Sequence, residues 1–420
     1  MTVNTRLVSW MQLGLIALVA IMPFHAFLSV WGGHALGHQT IWQSWKEVLL
    51  LIEVVLAAIL LWKDPGRRQR LRSPIVYAVA AFTIVSLVVT ALVRPELGAA
   101  IFGLKTDVEF LIAAILAWLV SDPVFIRRLI RTVLISSGVV IAFGLLQAYL
   151  LPRDWLVQFG YGPDTIQPYA LVDPVLDSVR IIGTLGGFNQ LGSFLILPLS
   201  LVFWYCLRKP QWWHLVYLTA GLTVLWHTYS RGAYIGLAIA FSVLIITRLR
   251  RSWRLPALLV LTLSAAISLQ LAISHANDTN KLQYYLFHQS VQDTGIRAST
   301  DQHIAAYRKG LEVAQDNPLG KGLGTAGPAS FQSSQPFIPE NYYLQIAIEA
   351  GAIGLLIFLA IQVLVAIRLW QQHTQIPAAA AVLATLAGIS VLNLALHGWA
   401  DSSTALVFWT TAGAIIGSRA

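Results

Sequence analysis

The side chains that could do chemistry gather in four short stretches. In PENYYLQIAIEAGAIGLLIFL (339–359), Glu340, Asn341 and Tyr342 open a helix that then turns apolar. Glu340 has two readings. Beside Pro339 in a first helical turn, a carboxylate is stabilised by the helix dipole and need do nothing more. The same carboxylate suits a general base taking the proton of an attacking hydroxyl, although the dipole lowers its hold on that proton. Asn341, Tyr342, Tyr343 and Gln345 add donors and a stacking surface, or form an aromatic belt at a membrane interface. Glu349 lies about two and a half turns further on. A carboxylate at that depth in an apolar helix must face the bundle interior and find a partner. Gly351 and Gly354 read as close-packing positions.

The second stretch is HTYSRGAYIG, where Arg231 sits between two apolar runs with almost no loop. A guanidinium fixed in so tight a turn suits a phosphate or diphosphate, which it can grip with two parallel hydrogen bonds. A lipid headgroup would satisfy it as well. In the third, RIIGTLGGFNQLGSF, Arg180 precedes a cluster of glycines around Asn189. The glycines serve either packing or a broken helix start with free amides, which lipid tolerates only where backbone is buried or lines a cavity. Together Arg180 and Arg231 could hold a diphosphate without a metal. The fourth, GKGLGTAG (320–327), lacks the G-x-x-x-x-G-K-[ST] spacing of an NTP-binding loop, and Lys321 remains as an anion ligand. Arg297, His303 and Arg308 read as solvated. Lys46, Glu47, Glu53, Lys105 and Asp107 flank or enter apolar runs, and Glu53 is either a buried relay or a structural partner. His397, Trp399 and Asp401 line the same cavity or sit at an interface. No His, Cys or Asp set has metal-ligand spacing, and no cofactor is implied.

The elements that must position these groups are membrane helices. Hydrophobic residues make up 57% of the chain, charged residues 11%, and mean hydropathy is +0.68. A soluble domain carries about twice that charged fraction. The lone Cys206 excludes an internal disulfide. Apolar runs fall at 8–30, 47–62, 74–93, 107–120, 132–151, 181–206, 212–229, 232–247, 255–274, 340–367, 376–396 and 403–418. By the span-length rule they predict an all-α polytopic membrane protein with about twelve crossings. The first run is long enough to be a retained helix rather than a cleaved leader. The chain is expected to form one transmembrane domain over 1–420, with a long loop at 275–339. In that loop STDQHIAAYRKGLEVAQDN (299–317) predicts an amphipathic helix with Ile304, Leu311 and Ala314 on one face, stopped by Pro318.

The net charge of +9 is not a nucleic-acid signal. Its basic residues sit in short alternating loops, at 63–72, 127–131, 208–209, 248–254 and 368, with Arg6 and Arg419 on the same side. That positive-inside pattern makes those loops and both termini cytoplasmic and the loop at 275–339 external.

RIIGTLGGFNQLG, the tight YSRG, NPLGKGLG and ENYYLQIAIEAGAIGLLIF, in that order over about 180–360, resemble the O-antigen ligase/polymerase family of bacterial envelope glycosyltransferases. The resemblance implies transfer of a glycan from a polyprenyl-diphosphate carrier to an acceptor hydroxyl on a glycan or lipid. The reaction would run at the outer face of the bacterial cytoplasmic membrane, with neither nucleotide sugar nor metal. It implies that Arg180 and Arg231 hold the diphosphate, with Arg297 matched to a further loop arginine. Ligases of the family carry His-Asn where this chain has Glu340-Asn341, and that His is their proposed base. Glutamate can take the same proton, and the change favours a repeat-unit polymerase over a ligase onto a lipid core or protein. A transporter of the lipid-linked glycan is the alternative from another class. It would bring inverted repeats and mid-membrane charges, which the sequence lacks.

Overall fold

The structure, a computed structural model, describes residues 3–171, 179–248 and 296–418, together with positions 252 and 256. Helices α1 (Val3–Ile21) and α2 (His25–Leu36) are joined by a 3-10 turn at Pro23. Helices α3 (Gln39–Gln43), α4 (Trp45–Lys63), α5 (Pro65–Arg70) and α6 (Pro74–Val93) follow. Next, α7 (Leu97–Asp107) and α8 (Glu109–Leu119) meet at Val108, and α9 (Pro123–Tyr149) comes after them. A two-residue antiparallel pair, β1 (Ala170–Leu171) with β2 (Val179–Arg180), puts Ala170 opposite Arg180. The chain then forms α10 (Phe188–Arg208), α11 (Trp212–Thr228), α12 (Arg231–Arg248), α13 (Ile296–Asp316), α14 (Tyr342–Gln372), α15 (Pro377–Leu392) and α16 (Ser402–Gly417). The helix starts follow local chemistry. Proline opens α5, α6, α9 and α15, where its missing N–H costs nothing. Asp122 caps α9 by accepting from the amides of Val124 and Phe125.

The all-α membrane architecture expected from hydropathy is what the chain adopts. Every apolar run coincides with a helix except 255–274, which lies outside the described residues apart from position 256. Among the described residues, six helical stretches are long and apolar enough to cross a bilayer, and α15 and α16 are shorter apolar helices. Helix α16 is buried almost throughout and α10 nearly so. These two form the centre, with α8 packed on α16 and α12 and α15 on α10. Small residues let the backbones touch. A Cβ on Gly236 would lie 3.0 Å from the Gly388 carbonyl, so α12 and α15 cross glycine to glycine. On the outside, Leu51, Ile84, Leu92, Ile135, Leu215, Leu356 and Val363 are exposed, the surface a helix bundle presents to lipid tails.

The ends of the bundle differ. Arg70, Arg72 and Arg368 share one cavity, and Arg127, Arg131, Arg208 and Lys209 another, both at the end where α10 and α14 finish. The starts of α10, α12 and α14 carry Asn189, Arg231 and Asn341 at the other end. The charges flanking α4 and α7 neutralise one another. Lys46 reaches Glu47 at 2.7 Å and Glu109 at 2.9 Å, and Lys105 reaches Glu47 at 2.5 Å.

Helix α13 confirms the amphipathic element in the long loop, although residues 275–295 of that loop lie outside the described residues. Its packed face is not the one expected. Gly310 is buried against Pro339 and Leu344, and Ala306, Val313 and Ala314 are half-buried. Ile304, Tyr307 and Leu311 are exposed. A missing side chain, rather than an apolar one, lets α13 settle on the start of α14.

Candidate active site

Arg180 ends β2, just before a glycine-rich turn into α10. The amide of Ile181 donates to the His227 carbonyl (3.1 Å), which fastens this segment to the end of α11. Tyr229 then takes a left-handed conformation (φ +50°), unusual for a bulky residue, and turns the chain so sharply that Arg231 is already the first residue of α12. Arg180 donates to the Tyr229 carbonyl at 2.6 Å, and its guanidinium lies 3.8 Å from the centre of the Phe188 ring. Ser230 Oγ donates to Asn189 Oδ1 at 2.7 Å, tying the α11–α12 turn to the start of α10.

These contacts bring the two arginines together. Burial first, and then the Arg231 charge, push Arg180 down to about 10, with Tyr234 and Tyr229 opposing. Among the described residues neither arginine has an acidic partner. Arg180 Nε is buried with no acceptor among them. Two guanidiniums close enough to interact, partly desolvated and without a carboxylate partner among the described residues, suit an anion.

Glu340 stands just before the start of α14. It too is left-handed (φ +52°), a conformation that costs a non-glycine residue roughly 1–3 kcal/mol. Its Oε2 lies 3.3 Å from Nδ1 of His303 on α13. The hydrogen bond from His303 holds the Glu340 carboxyl below the usual range against the opposing effect of burial, and the His303 and His397 charges add to it. His303 is raised in turn by Glu340, while burial and the Arg231 charge oppose. His303 therefore feels the charge of both Glu340 and Arg231. His397 is pushed down to about 4 by burial.

Beneath Glu340 lies a buried polar plug. Asp107 Oδ1 accepts from Tyr342 Oη and from Gln345 Nε2, each at 3.0 Å. Gln345 Oε1 bonds Nδ1 of His397 at 2.8 Å. Glu349 Oε1 accepts from the Ala326 amide at 3.1 Å, and its carboxyl meets that of Asp107. Neither carboxylate can donate, so the two form a hydrogen-bonded pair only when they share a proton.

The glycine-rich loop seals the plug. Helix α14 is interrupted at Gly351 (φ +73°, ψ −179°), which frees the carbonyls before it. The Lys321 amide donates to the Ile348 carbonyl (2.7 Å) and the Gly322 amide to that of Glu349 (2.9 Å). The Ala352 amide returns a bond to the Pro318 carbonyl at 2.9 Å.

The sequence-derived residues thus divide. Arg180 and Arg231 lie close enough to interact, and Glu340 pairs with His303, which feels the Arg231 charge. Asn341 is committed to the fold: its Oδ1 caps α14 by accepting from the Tyr343 and Leu344 amides, and its Nδ2 donates to the Leu394 carbonyl. Tyr342 is fully buried and holds Asp107, so it presents no surface for stacking. Asn189 accepts from Ser230. Lys321 uses its backbone to cap the interrupted helix. Arg297 lies in the first turn of α13, and its side chain is outside the described residues. Sequence reasoning missed His303, read as solvated, and Asp107, read only as a flanking charge. A mid-helix Glu349 did call for a partner, but nothing in one sequence says which of several acids or amides supplies it.

Residues 215–359 match the family model described as O-antigen ligase. The match takes in Arg231, His303, Glu340 and Glu349 and begins after Arg180. No curated protein matches the chain.

Proposed function

We propose, from the match of residues 215–359 to the family model described as O-antigen ligase, that the chain is a membrane glycosyltransferase of the ligase/polymerase type and, within it, a repeat-unit polymerase using a polyprenyl-diphosphate-linked glycan. The observation that carries this reading is the pair of arginines, Arg180 and Arg231, without a carboxylate partner among the described residues, with Arg231 acting on the His303 that pairs with Glu340. The acceptor oxygen attacks the anomeric carbon of the donor glycan. The bond from that carbon to the diphosphate breaks, and its electron pair leaves with the lipid diphosphate. The two guanidiniums stabilise the charge that develops there. The acceptor proton passes to the Glu340–His303 pair. Asn341, Tyr342 and Asn189 position this site from within the fold. The positive-inside rule supports a cytoplasmic basic end and an arginine pair at the outer face of a bacterial cytoplasmic membrane, the side on which this reading has the lipid-linked glycan transferred.

Polymerase is preferred to ligase because Glu340 stands where family ligases carry histidine. The test uses purified protein in nanodiscs with a synthetic polyprenyl-diphosphate oligosaccharide, following carrier release and glycan length. Lengthened glycans, lost in Arg231→Ala and reduced in Glu340→Gln, support the polymerase. Release only when a lipid-core or protein acceptor is added makes the chain a ligase. Movement of carrier across the bilayer without release would replace the enzyme with a transporter.

A further inference from the structure

We infer that His303, and not Glu340, is the atom-level proton acceptor, and that Glu340 is the positioning carboxylate that orients its imidazole. The assignment rests on the glycosyl-transfer reading above. The contact runs from Nδ1 of His303 to Oε2 of Glu340 at 3.3 Å. An imidazole that donates its Nδ1 proton to a carboxylate carries its lone pair on Nε2, on the far edge of the ring. The His303 side chain is 46% exposed and that of Glu340 29%, so the histidine is the more open of the two to an incoming hydroxyl. Arg231 on α12 is near enough for its charge to act on His303.

Two features hold the pair in place. Gly310, about two turns along α13 from His303, lets this helix close on the residue before Glu340: a Cβ there would stand 2.7 Å from that of Pro339. Glu340 is held left-handed at φ +52°. That strain is the kind retained where a side chain must be aimed. A surface ion pair of opportunity needs neither device.

In the proposed step, the acceptor hydroxyl forms its bond to the anomeric carbon as its proton moves to Nε2 of His303. The resulting imidazolium is stabilised by Glu340, and the leaving diphosphate takes the electron pair of the broken carbon–oxygen bond. The imidazolium then returns its proton to the released diphosphate or to water. The charged groups facing His303 are Glu340, which favours its protonated form, and Arg231, which opposes it. His397 acts in turn on Glu340, and Arg231 on Arg180.

The two candidate bases leave opposite marks on the pH profile of kcat/KM for carrier release. With His303 as base, the acid limb has its midpoint above the ordinary histidine value of 6.5, since Glu340 raises it. His303→Gln then loses the limb and at least about 100-fold in rate, and Glu340→Gln keeps the limb but moves it to lower pH. With Glu340 as base, the wild-type limb lies below 4.5, and His303→Gln keeps it and moves it upward. The second pattern overturns the assignment while leaving the transferase reading intact. Absence of carrier release by the wild type at every pH overturns both. Unchanged elution and thermal unfolding of each variant exclude loss of fold as the cause.

Discussion

Replacing Gly351 with alanine separates the fold described here from a continuous helix. In a continuous α14 the change would be harmless or mildly stabilising, since alanine is the better helix former by about 1 kcal/mol. In the structure Gly351 has φ +73° and ψ −179°, a region open in practice only to glycine, and holding alanine there costs roughly 1–3 kcal/mol. The new Cβ would lie 2.6 Å from the Leu319 carbonyl carbon and 2.8 Å from the Pro318 oxygen, both backbone, so the loop must move. Moving it strains the bonds Lys321 to Ile348, Gly322 to Glu349 and Ala352 to Pro318, each worth about 0.5–1.5 kcal/mol net. A total near 3–5 kcal/mol is at the upper end for a point substitution. Hydrogen exchange in nanodiscs reads it directly, through the amides of Lys321, Gly322 and Ala326. Gly138→Ala is the control: in α9 its Cβ meets only the Tyr217 ring, at 3.8 Å. Wild-type protection and stability in Gly351→Ala would refute the interrupted helix and the loop cap built on it.

Other substitutions probe the parts around this break. Glu349→Gln should be tolerated, because an amide can still accept from the Ala326 amide and can donate to Asp107. Glu349→Leu strands both groups and should cost about 3–5 kcal/mol, read by thermal unfolding. Gly310→Val should push α13 off Pro339 and lower carrier release at least about tenfold while leaving the unfolding temperature within a few degrees, because α13 is a mostly exposed helix. The ion pair between His303 and Glu340 is complete only between the two titrations. Glu340 contributes above its ordinary 4.5 and loses its contribution as pH falls through its lowered value; His303 contributes below 6.5 and loses its contribution as pH rises through its raised value. The protection factors at the start of α13, corrected for the intrinsic pH dependence of exchange, should therefore peak near pH 5–6 and fall on either side.

Hydropathy was a sufficient guide to the helices because lipid leaves the backbone few other options. The runs at 74–93, 212–229 and 376–396 reappear as α6, α11 and α15 with small shifts at their ends. The break in α14 was not legible. An apolar run passes through Gly351 without interruption, and the reason for the break is a loop that docks there from the preceding segment. Arg231 could be singled out because a cation in so short a turn has few structural uses. Asn341 and Tyr342 looked alike as polar residues at a helix start, and only packing shows both turned inward. His303 lies on a polar helix where many histidines are solvated; its importance depends on Gly310 and on the left-handed Glu340, neither visible as sequence pattern.

The central claim is that Arg180 and Arg231 grip one diphosphate. It is tested by kcat/KM for release of the lipid diphosphate from wild type, Arg180→Ala, Arg231→Ala and the double variant in nanodiscs. Two guanidiniums on one leaving group predict losses of about 100-fold or more for each single variant. They also predict a double variant far less damaged than the product of the two, because either loss already spoils the shared grip. Single variants within about threefold of wild type, or losses that multiply as for independent sites, would contradict the account.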